Sequence, residues 1–149
     1  MNNNFYAILL AAGLSSRMGS SKALLDWHGK KLIEYQLEIL IGIGIKKINL
    51  VLGHEKEKIL PYTQIDEVNV IFNKNYKDGK STSIIEGLKG IENDAENIIL
   101  ISVDQPRPAW FIKEIITNHI AKKSKITAPV YNGKRGHPII LNKKVTDQW

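Results

Sequence analysis

The segment FYAILLAAGLSSRMGSSK, residues 5–22, joins an apolar run to a series of glycines and serines that carries one arginine and one lysine. An apolar run without alternation is typical of a strand that is buried on both faces of a parallel sheet. The small residues after it allow backbone amides to approach a ligand closely, and a turn of such amides binds anions. The segment therefore predicts a central strand whose carboxyl end holds a phosphate group.

Further apolar runs predict the rest of the sheet. We expect strands at Tyr6–Ala11, Ile48–Leu52, Asn69–Phe72, Ile98–Val103, Ile126–Val130 and Pro138–Leu141. Apolar residues at helical spacing predict helices near residues 32–43, 84–88 and 112–120, the second with Ser83 and Glu86 as a capping box. Alternating strands and helices predict a single α/β domain, residues 1–149, with a doubly wound, mostly parallel, Rossmann-like sheet.

The composition excludes several classes of protein. The hydrophobic content of 43% is ordinary for a globular domain, and the absence of cysteine excludes disulfides and thiolate metal sites. The first apolar run is too short for a membrane span and follows no basic residue, so we expect a cytoplasmic protein with no membrane contact. The net charge of +6 is spread in lysine pairs without interleaved aromatic residues, so we expect no nucleic-acid partner.

Four predicted loops with polar or glycine residues follow the carboxyl ends of strands. They are AAGLSSRMGSSK (11–22), LGHEKE (52–57), NKNYKDGKSTS (73–83) and SVDQPRP (102–108). Ligands of doubly wound sheets bind at this edge of the sheet. We therefore expect the four loops to converge on one site.

Charged residues in these loops suggest a phosphate and metal site. Arg17 and Lys22 add positive charge to the first loop, whose spacing fits neither the Walker P-loop nor the Rossmann fingerprint. A flexible surface loop is the alternative interpretation. Asp104 follows a central strand, and a lone carboxylate opposite a phosphate cradle suits Mg²⁺. Its alternative role is to cap the next helix.

The remaining polar residues have two interpretations each. Gly79 permits close backbone approach, and the hydroxyls at residues 81–83 either face a nucleobase or sugar or cap a helix. His137 either contacts an acceptor phosphate or orders its loop. The other histidines, at positions 28, 54 and 119, have no partners at metal-ligand spacing, and we expect them on the surface.

Four motifs in order carry a family resemblance: LAAGLSSRMGSSKALL, NKNYKDGKSTSIIEGL, SVDQP and GKRGHPIIL. With them the chain resembles the molybdenum-cofactor nucleotidyltransferases, especially the molybdopterin cytidylyltransferases. Gln105 looks like the cytidylyl branch, because the guanylyl branch tends to have methionine there, and the Gly136-His137-Pro138 step looks like the same branch. The resemblance implies a fold of the nucleotide-diphospho-sugar transferase type. It also implies transfer of a nucleoside monophosphate, with CTP as donor and molybdopterin as the phosphorylated acceptor, using Mg²⁺ and releasing pyrophosphate.

The resemblance also implies residue roles. Nucleotide binding is implied for Leu10, Ala11, Ala12, Gly13, Arg17, Lys22, Gly79, Thr82 and Ser83. Catalysis is implied for Arg17, Lys22 and Asp104, metal binding for Asp104, and acceptor binding for Gln105, Arg135 and His137. Members of the family continue beyond the Gly-His-Pro strand, so the resemblance implies that this chain lacks their C-terminal segment.

Two other hypotheses compete with this one. One is a nucleotidyltransferase with a different acceptor, such as a sugar phosphate or an alcohol phosphate. The other is a non-catalytic nucleotide-binding protein that helps a molybdenum enzyme to mature. Pyrophosphate release with a panel of acceptors distinguishes the three.

Overall fold

A computed structural model describes residues 4–13 and 21–148. The strands are β1 (Phe5–Ala11), β2 (Asp26–Trp27), β3 (Lys30–Lys31), β4 (Lys47–Leu52), β5 (Val68–Phe72), β6 (Asn97–Ser102), β7 (Ile126–Thr127), β8 (Val130–Tyr131), β9 (Lys134–Arg135) and β10 (Ile139–Asn142). The helices are α1 (Leu32–Gly42), α2 (Lys56–Ile59), α3 (Lys80–Lys89), α4 (Ala109–Ala121) and α5 (Lys143–Thr146). In this part of the chain no helix is long and apolar enough to cross a bilayer.

Six strands form the central sheet in the order β5-β4-β1-β6-β10-β7. Strand β1 runs parallel to its neighbours β4 and β6, and β4 runs parallel to β5. Strand β10 is antiparallel to β6 and β7. Every residue of β1 and β6 is buried, as expected for strands covered on both faces. The predicted mostly parallel sheet is confirmed.

Helices cover both faces of this sheet. Leu37 of α1 and Ile116 of α4 share a core with Leu9, which lies on one face of β1. Leu88 of α3 packs against Ile8 on the opposite face. The chain leaves β1 towards β4 and leaves β6 towards β10, so the carboxyl ends of β1 and β6 flank a topological switch point. Switch points of doubly wound sheets are the usual place for a ligand.

The predicted strand Ile126–Val130 is wrong as a single element. Strand β7 ends at Thr127, and Val130–Tyr131 pairs instead with Lys134–Arg135 in a separate hairpin. Pro129 lies between the two segments and has no N–H to continue a ladder. The hairpin turns through Asn132 and Gly133, whose φ angles of 51° and 77° match the expected tight turn.

The capping box predicted at Ser83 is also wrong. Helix α3 begins at Lys80 with Gly79 as its N-cap residue, so Ser83 lies inside the helix and is buried. The φ of Gly79 is 111°, a value that favours glycine and lets the chain turn sharply into the helix.

Gly87 of α3 allows the helix to pack closely on β1. A Cβ at this position would lie 2.6 Å from Cγ2 of Ile8. We expect Gly87→Ala to lower the free energy of unfolding by about 1–3 kcal/mol, because the extra methyl overpacks the core. Gly42→Ala is the matched control, since a Cβ there meets no atom of the described residues within 4 Å. Urea denaturation of both variants tests this expectation, and equal stability of the two would contradict it.

The expectation that His119 is a surface residue is wrong, whereas His28 is exposed as expected. His119 is 2% exposed and joins three elements of the fold. Oδ1 of Asn97 accepts from its Nε2–H at 3.0 Å, and its Nδ1 accepts from the hydroxyl of Thr127 at 2.6 Å. The sequence carried no signal of this burial, because the two partners lie on other elements, Asn97 on β6 and Thr127 on β7.

Burial of His119 makes stability depend on pH. Burial lowers the pKa of His119 below its ordinary value, so the folded protein favours the neutral ring. The neutral ring therefore contributes fully to the free energy of unfolding above about pH 6.5, the ordinary pKa of a histidine in the unfolded chain. This contribution is lost as the pH falls below that value. We expect the temperature midpoint of unfolding to decrease when the pH is lowered from 7.5 to 5. The decrease should be smaller in His119→Gln. Parallel pH profiles of the two proteins would show that His119 does not contribute.

Candidate functional site

A cleft of about 300 Å³ opens at the topological switch point. Three loops form its walls: the one after β1, the one between β5 and α3, and the one after β6. The lining residues are Leu10, Ala11, Ala12, Gly13, Ser21, Lys22, Tyr76, Lys77, Gly79, Lys80, Ser83, Ser102, Val103 and Asp104. Three of the four predicted loops therefore converge as expected.

The fourth predicted loop supports the cleft from behind. The backbone N–H of His54 donates to the carbonyl of Ala12 at 3.2 Å. Gly53 packs on Tyr76, since a Cβ at residue 53 would lie 2.6 Å from Cβ of that tyrosine. The loop thus fixes the end of β1 and one wall of the cleft without lining it.

The first wall presents backbone atoms and an ammonium group. Ala11 and Ala12 are buried, and a Cβ at Gly13 would meet no atom of the described residues within 4 Å. Among the described residues, none fills the space beside this backbone. The segment 14–20, which includes the predicted site residue Arg17, lies outside the described residues.

Lys22 reaches the cleft from a short 3-10 turn, Lys22–Leu24. Ser21 caps this turn, because its side-chain oxygen accepts from the N–H of Ala23 at 3.3 Å. The ammonium of Lys22 lies 3.8 Å from Oδ2 of Asp104. The turn therefore places Lys22, a predicted cation of the site, next to Asp104, the predicted metal ligand.

Asp104 follows β6 and does not cap the next helix. Helix α4 begins at Ala109 with Pro108 as its N-cap residue, so the capping alternative is excluded. Burial alone would raise the pKa of this carboxyl, but a hydrogen bond from Ser102 and the charges of Lys80 and Lys22 lower it overall. Asp104 is therefore an anion at neutral pH, and 41% of its side chain is exposed to the cleft and solvent.

The wall between β5 and α3 is held by one buried amide, Asn73. Its Nδ2 donates to the hydroxyls of Thr82 and Ser83, at 2.9 Å each, and its Oδ1 accepts from the N–H of Asn75 at 3.0 Å. Ser83 lines the cleft, whereas Thr82 does not, and the hydroxyl of Thr82 lies 2.7 Å from the carbonyl of Gly79. Asn73 therefore positions the residues predicted to face the nucleotide.

The predicted acceptor residues lie beside the cleft and do not line it. Oε1 of Gln105 accepts from the backbone N–H of His137 at 3.1 Å, a bond that a methionine could not make. Nδ1 of His137 lies 3.3 Å from the carbonyl of Leu100, and the ring is buried. Gln105 and His137 thus order their loops, and Arg135 is exposed on strand β9 of the hairpin.

Sequence reasoning missed Lys80, Tyr76 and Ser102, which all line the cleft. Lys80 is the first residue of α3, and its charge acts on Asp104. The Gly79-Lys80 pair at a helix start was the available signal for the lysine. The sequence held no signal for Tyr76 or Ser102. The packing of Gly53 turns Tyr76 towards the cleft, and the path of β6 does the same for Ser102.

The residues of the cleft fit a magnesium ion that is held mainly by the phosphates of a bound substrate. Within residues 4–13 and 21–148 no three His, Cys, Asp or Glu side chains are close enough to hold a metal by themselves. Asp104 is a single anionic oxygen ligand at the cleft, and Mg²⁺ is commonly bound by one or two carboxylates together with substrate phosphates and water. A metal at this site would therefore depend on a phosphorylated ligand for its other contacts.

Comparisons with known proteins identify relatives of this chain. A probable molybdenum cofactor guanylyltransferase of Bacillus cereus is 30% identical over 131 residues, which cover 86% of this chain and 62% of the relative. This chain spans 62% and 65% of the length of two such relatives. The crystal structure of Rv0371c from Mycobacterium tuberculosis has the same fold, with a TM-score of 0.85 at 23% identity over 99% of this chain and 76% of that one.

A third comparison concerns a protein with a named phosphorylated acceptor. CTP:phosphocholine cytidylyltransferase from Streptococcus pneumoniae is 32% identical, with a TM-score of 0.58, over 68% of this chain and 45% of that chain. The MobA-like NTP transferase domain matches residues 7–149. The chain therefore belongs to the family of MobA-like NTP transferase domains.

Proposed function

We propose that this protein transfers a nucleoside monophosphate from a nucleoside triphosphate to a phosphorylated acceptor and releases pyrophosphate. One observation carries the proposal: an open backbone cradle, Lys22 and Asp104 meet in one cleft at the switch point of the sheet. Amides and an ammonium suit a triphosphate, and a carboxylate suits its metal ion.

Each wall of the cleft has a role in this proposal. The backbone of residues 10–13, with Lys22 and Arg17, binds the triphosphate. Gly79 and Ser83 lie against the base and the ribose, while Thr82 contributes through the Asn73 network that holds this wall. The acceptor side consists of Gln105, Arg135 and His137. The hydrogen bond between Gln105 and His137 shapes the loop there.

The chemistry needs no nucleophile from the protein. An oxygen of the acceptor phosphate attacks the α-phosphorus, and the bond from that phosphorus to the bridging oxygen breaks as pyrophosphate leaves. The chain aligns the two phosphates and stabilises the charge that moves onto the departing pyrophosphate. Mg²⁺, when bound at Asp104 and the triphosphate, supplies further positive charge to that group.

We propose CTP as the donor and molybdopterin as the acceptor. Gln105, hydrogen-bonded to the Gly-His-Pro step, supports the cytidylyl branch. The name of the Bacillus cereus relative supports molybdenum-cofactor chemistry, but with a guanylyl group. Pyrophosphate release with each of the four nucleoside triphosphates and molybdopterin tests the proposal. Faster turnover with GTP than with CTP would reject the cytidylyl assignment and leave the reaction class intact.

An alcohol phosphate is the second candidate acceptor. It is supported by the likeness to CTP:phosphocholine cytidylyltransferase. The same assay with phosphocholine and a sugar phosphate separates the two candidates. Turnover of CTP with either of these, and none with molybdopterin, would reject the first proposal. Nucleotide binding without pyrophosphate release for any acceptor would favour a non-catalytic accessory protein.

A further inference from the structure

Two cations act on the turn at Gly136 and His137: Arg107 lies close to it, and the charge of Lys80 acts on the ring of His137. Lys80 stands at the start of α3 and lines the cleft. Arg107 follows β6, and its Nη2 lies 3.6 Å from the position of a Cβ at Gly136. The two side chains come from different elements, Lys80 from the start of α3 and Arg107 from the segment after β6.

The guanidinium of Arg107 is held in place by neutral groups. Nη1 donates to the carbonyl of Pro106 at 3.2 Å, and Nη2 lies 3.4 Å from Oε1 of Gln105. Its central carbon lies 5.6 Å from the ring centre of Phe111. A guanidinium has five N–H groups, so these two contacts leave donors for an anion. The side chain is thus oriented without being neutralised.

Neither cation is paired with a carboxylate in the part of the chain that the structure describes. All ion pairs found there within 4.0 Å involve other cations, including Lys22 with Asp104. The ring of His137 does not add a positive charge of its own. Burial, and then the charges of Lys80 and Arg107, lower the pKa of this histidine and keep the ring neutral.

We propose that Lys80 and Arg107 form a second oxyanion seat at the Gly136-His137 turn, which binds the phosphate group of the acceptor. This inference rests on the proposed function, because that reaction brings a second phosphate to the α-phosphate of the nucleotide. The cradle at residues 11–13 and Lys22 serve the triphosphate, whereas Lys80 and Arg107 serve the phosphate of the acceptor. They offset the repulsion between the two phosphates and orient the attacking oxygen, since a guanidinium fork matches a phosphate monoester.

Inorganic phosphate is the probe for this seat. The wild-type protein is saturated with CTP, then titrated with phosphate at low ionic strength while backbone amide NMR signals are followed. We expect shifts at Gln105, Gly136 and His137. We expect Arg107→Gln and Lys80→Gln each to weaken phosphate binding roughly 10- to 100-fold, the usual range for a lost charge-assisted hydrogen bond. Lys113→Gln is the matched control, because it removes an exposed lysine from the neighbouring helix α4.

Turnover gives an independent readout with the acceptor itself. We expect Arg107→Gln to raise the KM for the acceptor roughly 10- to 100-fold while the affinity for CTP stays within about twofold. Arg107→Lys should recover part of this loss, because it restores the charge but not the fork. A residue that only held Gln105 would not distinguish lysine from glutamine in phosphate affinity.

The outcomes separate this inference from the proposed function. Nucleotide binding and turnover with unchanged phosphate affinity in both glutamine variants would overturn the seat and leave the proposed function intact. If CTP does not bind, the same titration is run on the nucleotide-free protein. Variant-sensitive shifts at Gly136 would then support the seat while the proposed function fails. Phosphate shifts confined to Ala12 and Gly13 would overturn the seat in either protein.

Discussion

An Asp104→Asn protein is expected to fold like the wild type and to lose metal-dependent turnover. Asparagine keeps the shape of the side chain, and the lost ion pair with Lys22 is half-exposed, so the free energy of unfolding should change by less than about 1 kcal/mol. The carboxylate is the anionic metal ligand of the proposed site, and its removal should lower kcat by roughly 10³-fold or more. Thermal melts and Mg²⁺ titrations of pyrophosphate release measure the two effects.

The same variant should bind metal-free nucleotide at least as tightly as the wild type. Asp104 lies 3.8 Å from the ammonium of Lys22, and the charge of Lys80 also acts on its carboxylate. Replacing this carboxylate by a neutral amide therefore leaves the cleft more positive. Calorimetry with CTP in EDTA tests this expectation. Asp78→Asn is the control, since it removes an exposed carboxylate from the neighbouring loop. Turnover within tenfold of wild type in Asp104→Asn would show that this carboxylate does not hold the metal.

A Lys22→Gln protein is expected to lose turnover while retaining most of its affinity for nucleotide. The capped 3-10 turn fixes the start of this side chain at the cleft. Its charge matters most when negative charge gathers on the departing pyrophosphate, so we expect kcat to fall roughly 10²- to 10³-fold. Nucleotide affinity should fall less than about tenfold, because the backbone cradle remains. The resemblance gives the same expectation for Arg17.

Steady-state kinetics at saturating substrate separates this role from plain binding. Lys22→Arg keeps the charge and should restore part of kcat. If instead kcat is preserved at saturation and only KM rises, Lys22 stabilises the bound substrate and the transition state equally. That result would assign the lysine to nucleotide capture and remove it from the catalytic group.

The sequence by itself determined the layer structure and the place of the cleft. The unbroken apolar run in β1 and β6 indicates burial on two faces, and the helical stripe beginning at Leu32 indicates a covering helix. These are local patterns, because the side-chain period of an element is written in its own residues. Parallel strands then bring their carboxyl ends to one edge, which is why the loops at Gly13, Gly79 and Asp104 were predicted to meet.

Only the tertiary structure decided which side chains face the cleft and how they are held. The start of α3 at Lys80 depends on the unusual backbone angle of Gly79, and the burial of His119 depends on partners from two strands, β6 and β7. The roles of Gln105 and Asn73 likewise follow from hydrogen bonds across loops. Such contacts join residues of different elements, so no local period encodes them. The physical reason is that a strand or helix is set by short-range sterics and burial, whereas a polar partner is chosen only when the elements pack.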